Sequence, residues 1–163
     1  MIRKANSGDC LNLAALSLQV WLHTYANEGI RDKISQYVLS TFTEYHFRQL
    51  LIKSNIEIWL YIKNDHLVGF IAIDLDATFK DSVNGFEIMT LYVSVHFQGQ
   101  GIGRKLLQYV NAEHGSNYWL STWVKNYKAI SFYHDLGFEV IGELSFELEG
   151  ELHSNPVLAY TES

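Results

Sequence analysis

The stretch Gln98-Gly99-Gln100-Gly101-Ile102-Gly103 decides the fold that we expect for this chain of 163 residues. It follows the run 88–95, which is rich in β-branched and aromatic residues and predicts a strand. The segment after it predicts a helix from near Gly103, with apolar residues at Ile102, Leu106, Leu107 and Val110. The glycines therefore form a strand-to-helix turn whose backbone N–H groups point into one concavity. Because the helix dipole adds positive potential there, the stretch predicts a phosphate-binding loop.

Spacing excludes two common phosphate loops. A Walker loop ends in Gly-Lys-Ser/Thr, and a dinucleotide fingerprint would require a third glycine where this chain has Arg104 or Leu106. The remaining pattern, Gln-x-x-Gly-x-Gly after the strand segment Leu91-Tyr92-Val93, resembles the acyl-CoA pyrophosphate loop of the GNAT family, the GCN5-related N-acetyltransferases. Taken alone, the loop is also compatible with a turn that only changes the chain direction.

The composition predicts one folded domain spanning residues 1–163. Apolar residues make up 48% of the chain and aromatic residues 14%, which excludes a disordered protein. The single cysteine, Cys10, excludes an internal disulfide and is typical of a reducing cytoplasm. No apolar run approaches the ~20 residues of a membrane span, and the start at Met1 lacks a signal-peptide core. We therefore expect a cytoplasmic protein without a membrane partner.

The net charge of −6 disfavours generic nucleic-acid binding and is compatible with a cationic small substrate, although a solvated acidic surface explains it equally well. The seven histidines show neither an H-x-x-x-H pair nor a cysteine partner, so we expect no metal site. The aromatic excess would suit a homodimer interface.

The first third of the chain predicts a short strand followed by helices. A strand at 2–5 precedes a helix with Asp9 as its N-cap, whose apolar stripe is Leu11, Ala14, Ala15, Leu18, Leu22 and Tyr25. Gly29 ends that helix or the turn after it, and a second helical stretch includes Ile34, Tyr37 and Val38. Thr41 with Glu44 forms a capping-box pattern before a third helix.

Strands dominate the rest of the chain. Residues 56–63 alternate with a period of two, and reversals at 64–65 and 84–85 delimit a strand at 67–75. We then expect a strand at 118–124, a helix at 128–136 ended by Gly137, a strand from Phe138, and pairing of 145–149 with 155–160 across the turn 149–151. The predicted class is α+β. The element order resembles the GNAT fold, which implies a central mixed, mostly antiparallel sheet flanked by helices, with a splay between the fourth and fifth strands.

A second signature lies between Asn126 and Phe138. It is similar to the family segment Asn-x-x-Ala-x-x-Phe-Tyr-x-x-x-Gly-Phe at each fixed position. The resemblance implies that Tyr133 protonates the departing CoA thiolate and that Asn126 touches the pantetheine arm or the phosphates. From the residues alone, the alternative for Tyr133 is a core tyrosine, and Asn126 can cap the helix, which is compatible with a contact to the cofactor.

The resemblance also implies a cofactor site for acetyl-CoA. In the family, the pantetheine arm completes the sheet at the splay, and a backbone N–H near Val93 holds the thioester oxyanion. The implied cofactor-binding residues are Leu91, Tyr92, Val93, Gln98, Gly99, Gln100, Gly101, Ile102, Gly103, Arg104, Asn126 and Tyr133.

Acetylation also requires an uncharged amine. Deprotonating an alkylamine at pH 7 costs roughly 4 kcal/mol, which a carboxylate acting directly or through water would offset in part. Glu87 matches the place where many family members carry such a glutamate, and it is also compatible with a solvated charge at a strand edge. Asp74 and Asp76 are weaker candidates for holding a cation.

The function predicted from these features is transfer of the acetyl group of acetyl-CoA to a primary amine by direct nucleophilic attack. Trp21, Thr24 and Tyr25 look like a pattern in family members assigned to small amines, so a small molecule such as a polyamine is the expected acceptor. The alternatives are a protein N-terminal or lysine acetyltransferase and a non-catalytic acyl-CoA-binding module.

Overall fold

The computed structural model describes residues 1–148 and 150–161. Its helices are α1 (Cys10–Tyr25), α2 (Asp32–Thr41), α3 (Glu44–Leu51), α4 (Ile102–His114) and α5 (Tyr127–Asp135). Its strands are β1 (Ile2–Lys4), β2 (Ile56–Lys63), β3 (His66–Asp74), β4 (Phe86–Val93), β5 (Tyr118–Ser121), β6 (Glu139–Leu148) and β7 (Glu151–Tyr160). Within these residues, no helix combines the length and apolarity needed to cross a bilayer.

The strands form one sheet in the order β1-β2-β3-β4-β5-β7-β6, and only the β4–β5 pair is parallel. That pair is held by two register positions, Phe86 with Tyr118 and Glu87 with Trp119. From Ile88 onwards β4 and β5 diverge, which opens a gap in the middle of the sheet. The predicted fold class, including the splay between the fourth and fifth strands, is confirmed.

Helices cover both faces of the sheet. One layer packs α1 and α3 against β2 and β3, with Leu13, Phe47, Leu60 and Phe70 at its centre. The opposite layer packs α4 and α5 around a larger cluster that includes Ile71, Ile73, Ile88, Leu106, Val110, Tyr133 and Phe138. The strict alternation of β2 therefore places Ile56, Ile58 and Leu60 inward, as predicted.

A β-bulge in β4 changes which side chains face each layer. Ala72 pairs with Thr90 while Ile73 pairs with Ile88, so Met89 is the extra residue. Ile88 and Leu91 consequently both pack on the α4 side, whereas Tyr92 packs on the α1 side.

Three local predictions differ from the structure. The buried face of α1 is Cys10, Leu13, Ala14, Leu16, Ser17, Val20 and Trp21, whereas Leu11 is 64% exposed. The Asp9 carboxylate does not cap α1, because it pairs with Arg3 at 2.8 Å and accepts the Asn6 N–H. The cap of α3 is Thr43, whose Oγ1 accepts the His46 N–H at 3.1 Å, since Thr41 still belongs to α2.

The C-terminal hairpin is longer than expected. β6 and β7 pair along nine register positions, from Glu139 with Ala159 to Leu148 with Glu151. Glu149, part of the predicted turn, lies outside the described residues. β5 ends at Ser121 rather than at 124, although Thr122 and Val124 still donate to Pro156 and Ser154. The hairpin therefore extends past the splay and covers its far side.

Candidate active site

The glycine loop has the geometry of an anion cradle. Gly99 and Gly101 both have φ near +81°, and a Cβ on either residue would meet no atom within 4 Å. Gly101 is the N-cap of α4 and has no side-chain cap, so the N–H groups of the first turn face open space. A concave run of backbone donors at a helix N-terminus is suited to a phosphate group.

Two hydrogen bonds of the Gln98 side chain link this loop to the neighbouring elements. The Gln98 side chain donates through Nε2 to the Val93 carbonyl at 3.1 Å, and its Oε1 accepts from Lys128 Nζ at 2.8 Å. The loop is thereby tied to the end of β4 and to α5 at the same time.

The loop opens into a cleft of about 520 Å³ that runs along the end of β4 and the start of α5. It brings together all but one of the predicted cofactor residues: Leu91, Tyr92, Val93, Gln98, Gly99, Gly101, Ile102, Gly103, Arg104, Asn126 and Tyr133. The exception, Gln100, is exposed and lies outside the lining. The cleft also contains His23, Lys125 and Lys128, which were not predicted as site residues although the lysines flank Asn126 in the sequence.

Backbone groups of β4 face this cleft. The Ser94 N–H donates to the Val68 carbonyl at 2.8 Å, and Gly69 is the register partner of Val93. Because successive residues of a strand direct their N–H groups to opposite sides, the N–H of Val93 points away from β3 and into the splay. The Val93 carbonyl points the same way, as its hydrogen bond to Gln98 requires.

Asn126 lies at the start of α5, as the sequence predicts. Its Oδ1 accepts the Ala129 N–H at 3.3 Å, so the residue caps the helix while lining the cleft. The cap and a contact with a bound molecule are therefore compatible.

Tyr133 projects from α5 to the junction of two cavities. It is 7% exposed, and its ring packs against Phe132 and Phe138 with centroids 5.2 and 5.1 Å away. Burial raises the pKa of the Tyr133 phenol well above its ordinary value, so the hydroxyl is protonated at neutral pH. A protonated phenol is the form that a general acid requires.

The second cavity, of about 290 Å³, lies on the hairpin side of Tyr133. Its boundary with the cleft is formed by residues that line both: Tyr25, Leu91, Tyr92, Asn126, Ala129 and Tyr133. Two molecules bound in the two cavities would therefore meet beside Tyr133.

Glu87 lies away from this junction. It is half-buried at the end of β4 where the strand still pairs with β5, between Asp74 and Trp119, and neither cavity lining includes it. Burial, and then the charge of Asp74, raise the pKa of its carboxyl. Asp74 itself accepts hydrogen bonds from Asn55 Nδ2 and the Asp76 N–H. Among the predicted catalytic residues, Tyr133 therefore lies at the junction and Glu87 does not.

A comparison with protein families agrees with this arrangement. Residues 54–140, more than half of the chain, match the model of the acetyltransferase (GNAT) domain. The chain belongs to the GNAT family. The expectation of an acetyl-CoA-dependent N-acetyltransferase is thereby confirmed at the level of the family.

Two relatives of this GNAT protein have names that specify a substrate. A probable spermine N(1)-acetyltransferase of Bacillus subtilis subsp. natto (strain BEST195) is 33% identical over 97 residues, which cover 55% of this chain and 63% of the relative. The peptidyl-lysine N-acetyltransferase YiaC of Escherichia coli (strain K12) is 28% identical over 88 residues, which cover 54% and 53% of the two chains. The family is thus represented by both a small-amine enzyme and a protein-modifying enzyme.

A solved structure covers almost the whole GNAT protein. The PaiA N-acetyltransferase of Thermoplasma acidophilum, in complex with coenzyme A, superposes with a TM-score of 0.77 over 98% of both chains at 21% identity. At that identity the likeness supports the fold alone.

Among the described residues, no group of three or more His, Cys, Asp or Glu side chains is placed to hold a metal ion.

Proposed function

We propose that the protein binds acetyl-CoA in the larger cleft and transfers its acetyl group directly to a small primary amine in the smaller cavity. The observation that carries this proposal is the junction of the two cavities at Tyr133 and the free edge of β4. The larger cavity has the loop and the end of β4 for a phosphate-bearing carrier, whereas the smaller cavity lacks the loop and lies between β4 and β5.

In this proposal, different elements of the protein bind the pyrophosphate and the pantetheine arm of the cofactor. The pyrophosphate would occupy the loop between Gln98 and Arg104, where backbone donors and the positive charges of Arg104 and Lys128 favour an anion. The pantetheine arm would run along β4 and hydrogen-bond to the backbone of Val93 in place of a neighbouring strand. Tyr92 and Asn126 would line its path to the reacting carbon.

The transfer balances with one attack and two proton movements. The amine nitrogen attacks the thioester carbonyl, the C–S bond breaks, the amine loses a proton and the CoA thiolate gains one. The Val93 N–H would stabilise the oxyanion, and the Tyr133 hydroxyl would protonate the thiolate. Glu87 would receive the amine proton through water, since it lies outside both cavities.

A thiol-release assay with acetyl-CoA tests the proposal. The acceptors would be alkylamines, polyamines, aminoglycosides, amino acids and lysine-containing peptides, with the Tyr133→Phe variant run in parallel. We expect turnover with at least one small amine and a much slower rate in the variant. Acetylation of peptides alone would favour the protein-modifying alternative, which the relative named as a peptidyl-lysine enzyme supports. Acetyl-CoA binding without turnover on any acceptor would favour a non-catalytic module.

We propose a single GNAT domain over 1–163, working in a reducing cytoplasm where the buried thiol of Cys10 stays free. The homodimer remains a prediction, and light scattering would decide it.

A further inference from the structure

The smaller cavity has walls of aromatic rings. Six aromatic residues form a continuous cluster around it, with Trp123 against Tyr25 at 5.0 Å, Tyr25 against Trp21 at 4.6 Å and Trp21 against Tyr37 at 5.0 Å. Tyr37 in turn contacts Phe42 at 6.3 Å and Phe146 at 6.0 Å, which closes the cavity under the hairpin. Four separate parts of the chain thus contribute rings to one space.

Among the described residues, no side chain that is charged at neutral pH lines this cavity. Its described lining residues are aromatic, aliphatic, hydroxyl or amide residues, without any Asp, Glu, Lys, Arg or His. Burial raises the pKa of the Tyr25 phenol to about 12, so that group is neutral as well. A molecule with several ammonium groups would lose hydration here without a carboxylate to pair with it, which is strongly unfavourable.

One ammonium or amine group does find partners in this cavity. The indole of Trp123 is fixed in place because its Nε1 donates to His153 Nδ1 at 3.3 Å, and Lys125 Nζ lies 5.8 Å from the centroid of its ring. The electron-rich faces of Trp21 and Tyr25, which also line the cavity, attract a cation. The Asn155 Oδ1, buried beside the cavity, accepts no hydrogen bond within the described part of the chain. It is therefore an acceptor that a substrate N–H could satisfy.

Resting on the proposed function, we infer that the acceptor is a compact monoamine with an aromatic or aliphatic body, of the arylalkylamine class, rather than a polyamine. The volume of about 290 Å³ is at the lower end of small-molecule pockets and suits a molecule of this size. Because no carboxylate lines the described part of the cavity, it also favours the uncharged amine, which is the nucleophilic form. This effect reduces the need for a base inside the cavity and agrees with the position of Glu87 outside it.

A matched pair of acceptors tests the inference. Heptylamine and hexamethylenediamine have the same chain length and differ in a terminal methyl group replaced by a second ammonium. We expect kcat/KM to be higher for heptylamine by about tenfold or more, with phenethylamine also preferred over spermidine. An equal rate, or a faster rate with the diamine, would overturn the inference while leaving the acetyltransferase proposal intact.

The variant Asn155→Asp changes charge without changing size. One carboxylate in the cavity would pair with the second ammonium, so the preference for heptylamine should fall by about tenfold. An unchanged preference, in a variant whose thermal unfolding matches the wild type, would contradict the neutral-cavity argument. If no amine is acetylated, the proposed function fails, and calorimetry with heptylamine on the CoA-bound protein decides the inference. Heptylamine binding would then support it, and no binding would refute it.

Discussion

Replacing Tyr133 by Phe removes one hydroxyl from the junction of the two cavities and keeps the ring that packs against Phe132 and Phe138. Within the described residues the hydroxyl makes no hydrogen bond, so its loss leaves no partner unsatisfied. We therefore expect the free energy of unfolding to change by less than about 1 kcal/mol.

The expected effect on catalysis is much larger. A single acid–base group accounts for about 10² to 10⁴ in rate, or roughly 3 to 5 kcal/mol of activation free energy. The wild-type hydroxyl is protonated through neutral pH, as the ordinary pKa of a tyrosine of about 10 already ensures, and it can donate to the thiolate. Acetyl-CoA affinity should change little, since the ring stays in place.

Single-turnover transfer separates these effects from slow product release, which would mask a loss of chemistry in the steady state. Thermal unfolding and calorimetry with acetyl-CoA serve as controls on the same preparation. A variant that unfolds like the wild type, binds the cofactor normally and transfers acetyl at the wild-type rate would refute the general-acid role. Tyr133 would then be a core residue.

Four further predictions concern the loop, the carboxylate of Glu87 and the helix cap. Gly101→Glu should abolish acetyl-CoA binding as measured by calorimetry. Gly101→Ala introduces the same backbone strain at φ +81° without a carboxylate and should retain most of the affinity. Equal affinities in the two variants would contradict the assignment of the loop as a phosphate-binding site. Glu87→Gln should reduce turnover most at low pH, and a pH–rate profile parallel to the wild type would remove Glu87 from the reaction. The pKa of Glu87 is raised in the folded protein, so ionisation of this carboxyl disfavours folding. Glu87→Gln should therefore have a higher Tm than the wild type at pH values above that raised pKa. Below the ordinary carboxyl pKa of about 4.3 the two proteins should have the same Tm, as thermal melts over a pH series would show. Asn126→Ala should lower the free energy of unfolding by about 1 kcal/mol through loss of the cap on Ala129, and a chemical denaturation curve identical to the wild type would exclude the cap.

Local sequence predicted most elements because their signals lie within a few residues. The period of two in β2, the glycines before α4 and the Asn126 cap each act through backbone geometry that neighbouring residues determine. The cofactor cleft followed from the same signals, because the loop, β4 and α5 line it together.

Features that depend on tertiary contacts could not be predicted from the local sequence. The carboxylate of Asp9 pairs with Arg3 rather than capping α1, and the bulge at Met89 depends on pairing with β3. The aromatic cavity combines Tyr37 and Phe146, which are remote in sequence and meet only because the hairpin folds over the splay. The lack of charged side chains among its described lining residues results from this tertiary arrangement, and no short sequence motif predicts it.

The two hydrogen bonds of Gln98 involve groups that a bound cofactor would also contact. The Val93 carbonyl already accepts a hydrogen bond from Gln98, and Lys128 already donates one to Gln98. A carrier can bond to the Val93 carbonyl through its second lone pair and to Lys128 through another ammonium hydrogen, and single contacts of this kind add direction more than affinity. The free energy of binding would then come mainly from the phosphates at the helix N-terminus and beside Arg104. Such binding would weaken as ionic strength rises, so the affinity for acetyl-CoA should depend on the salt concentration.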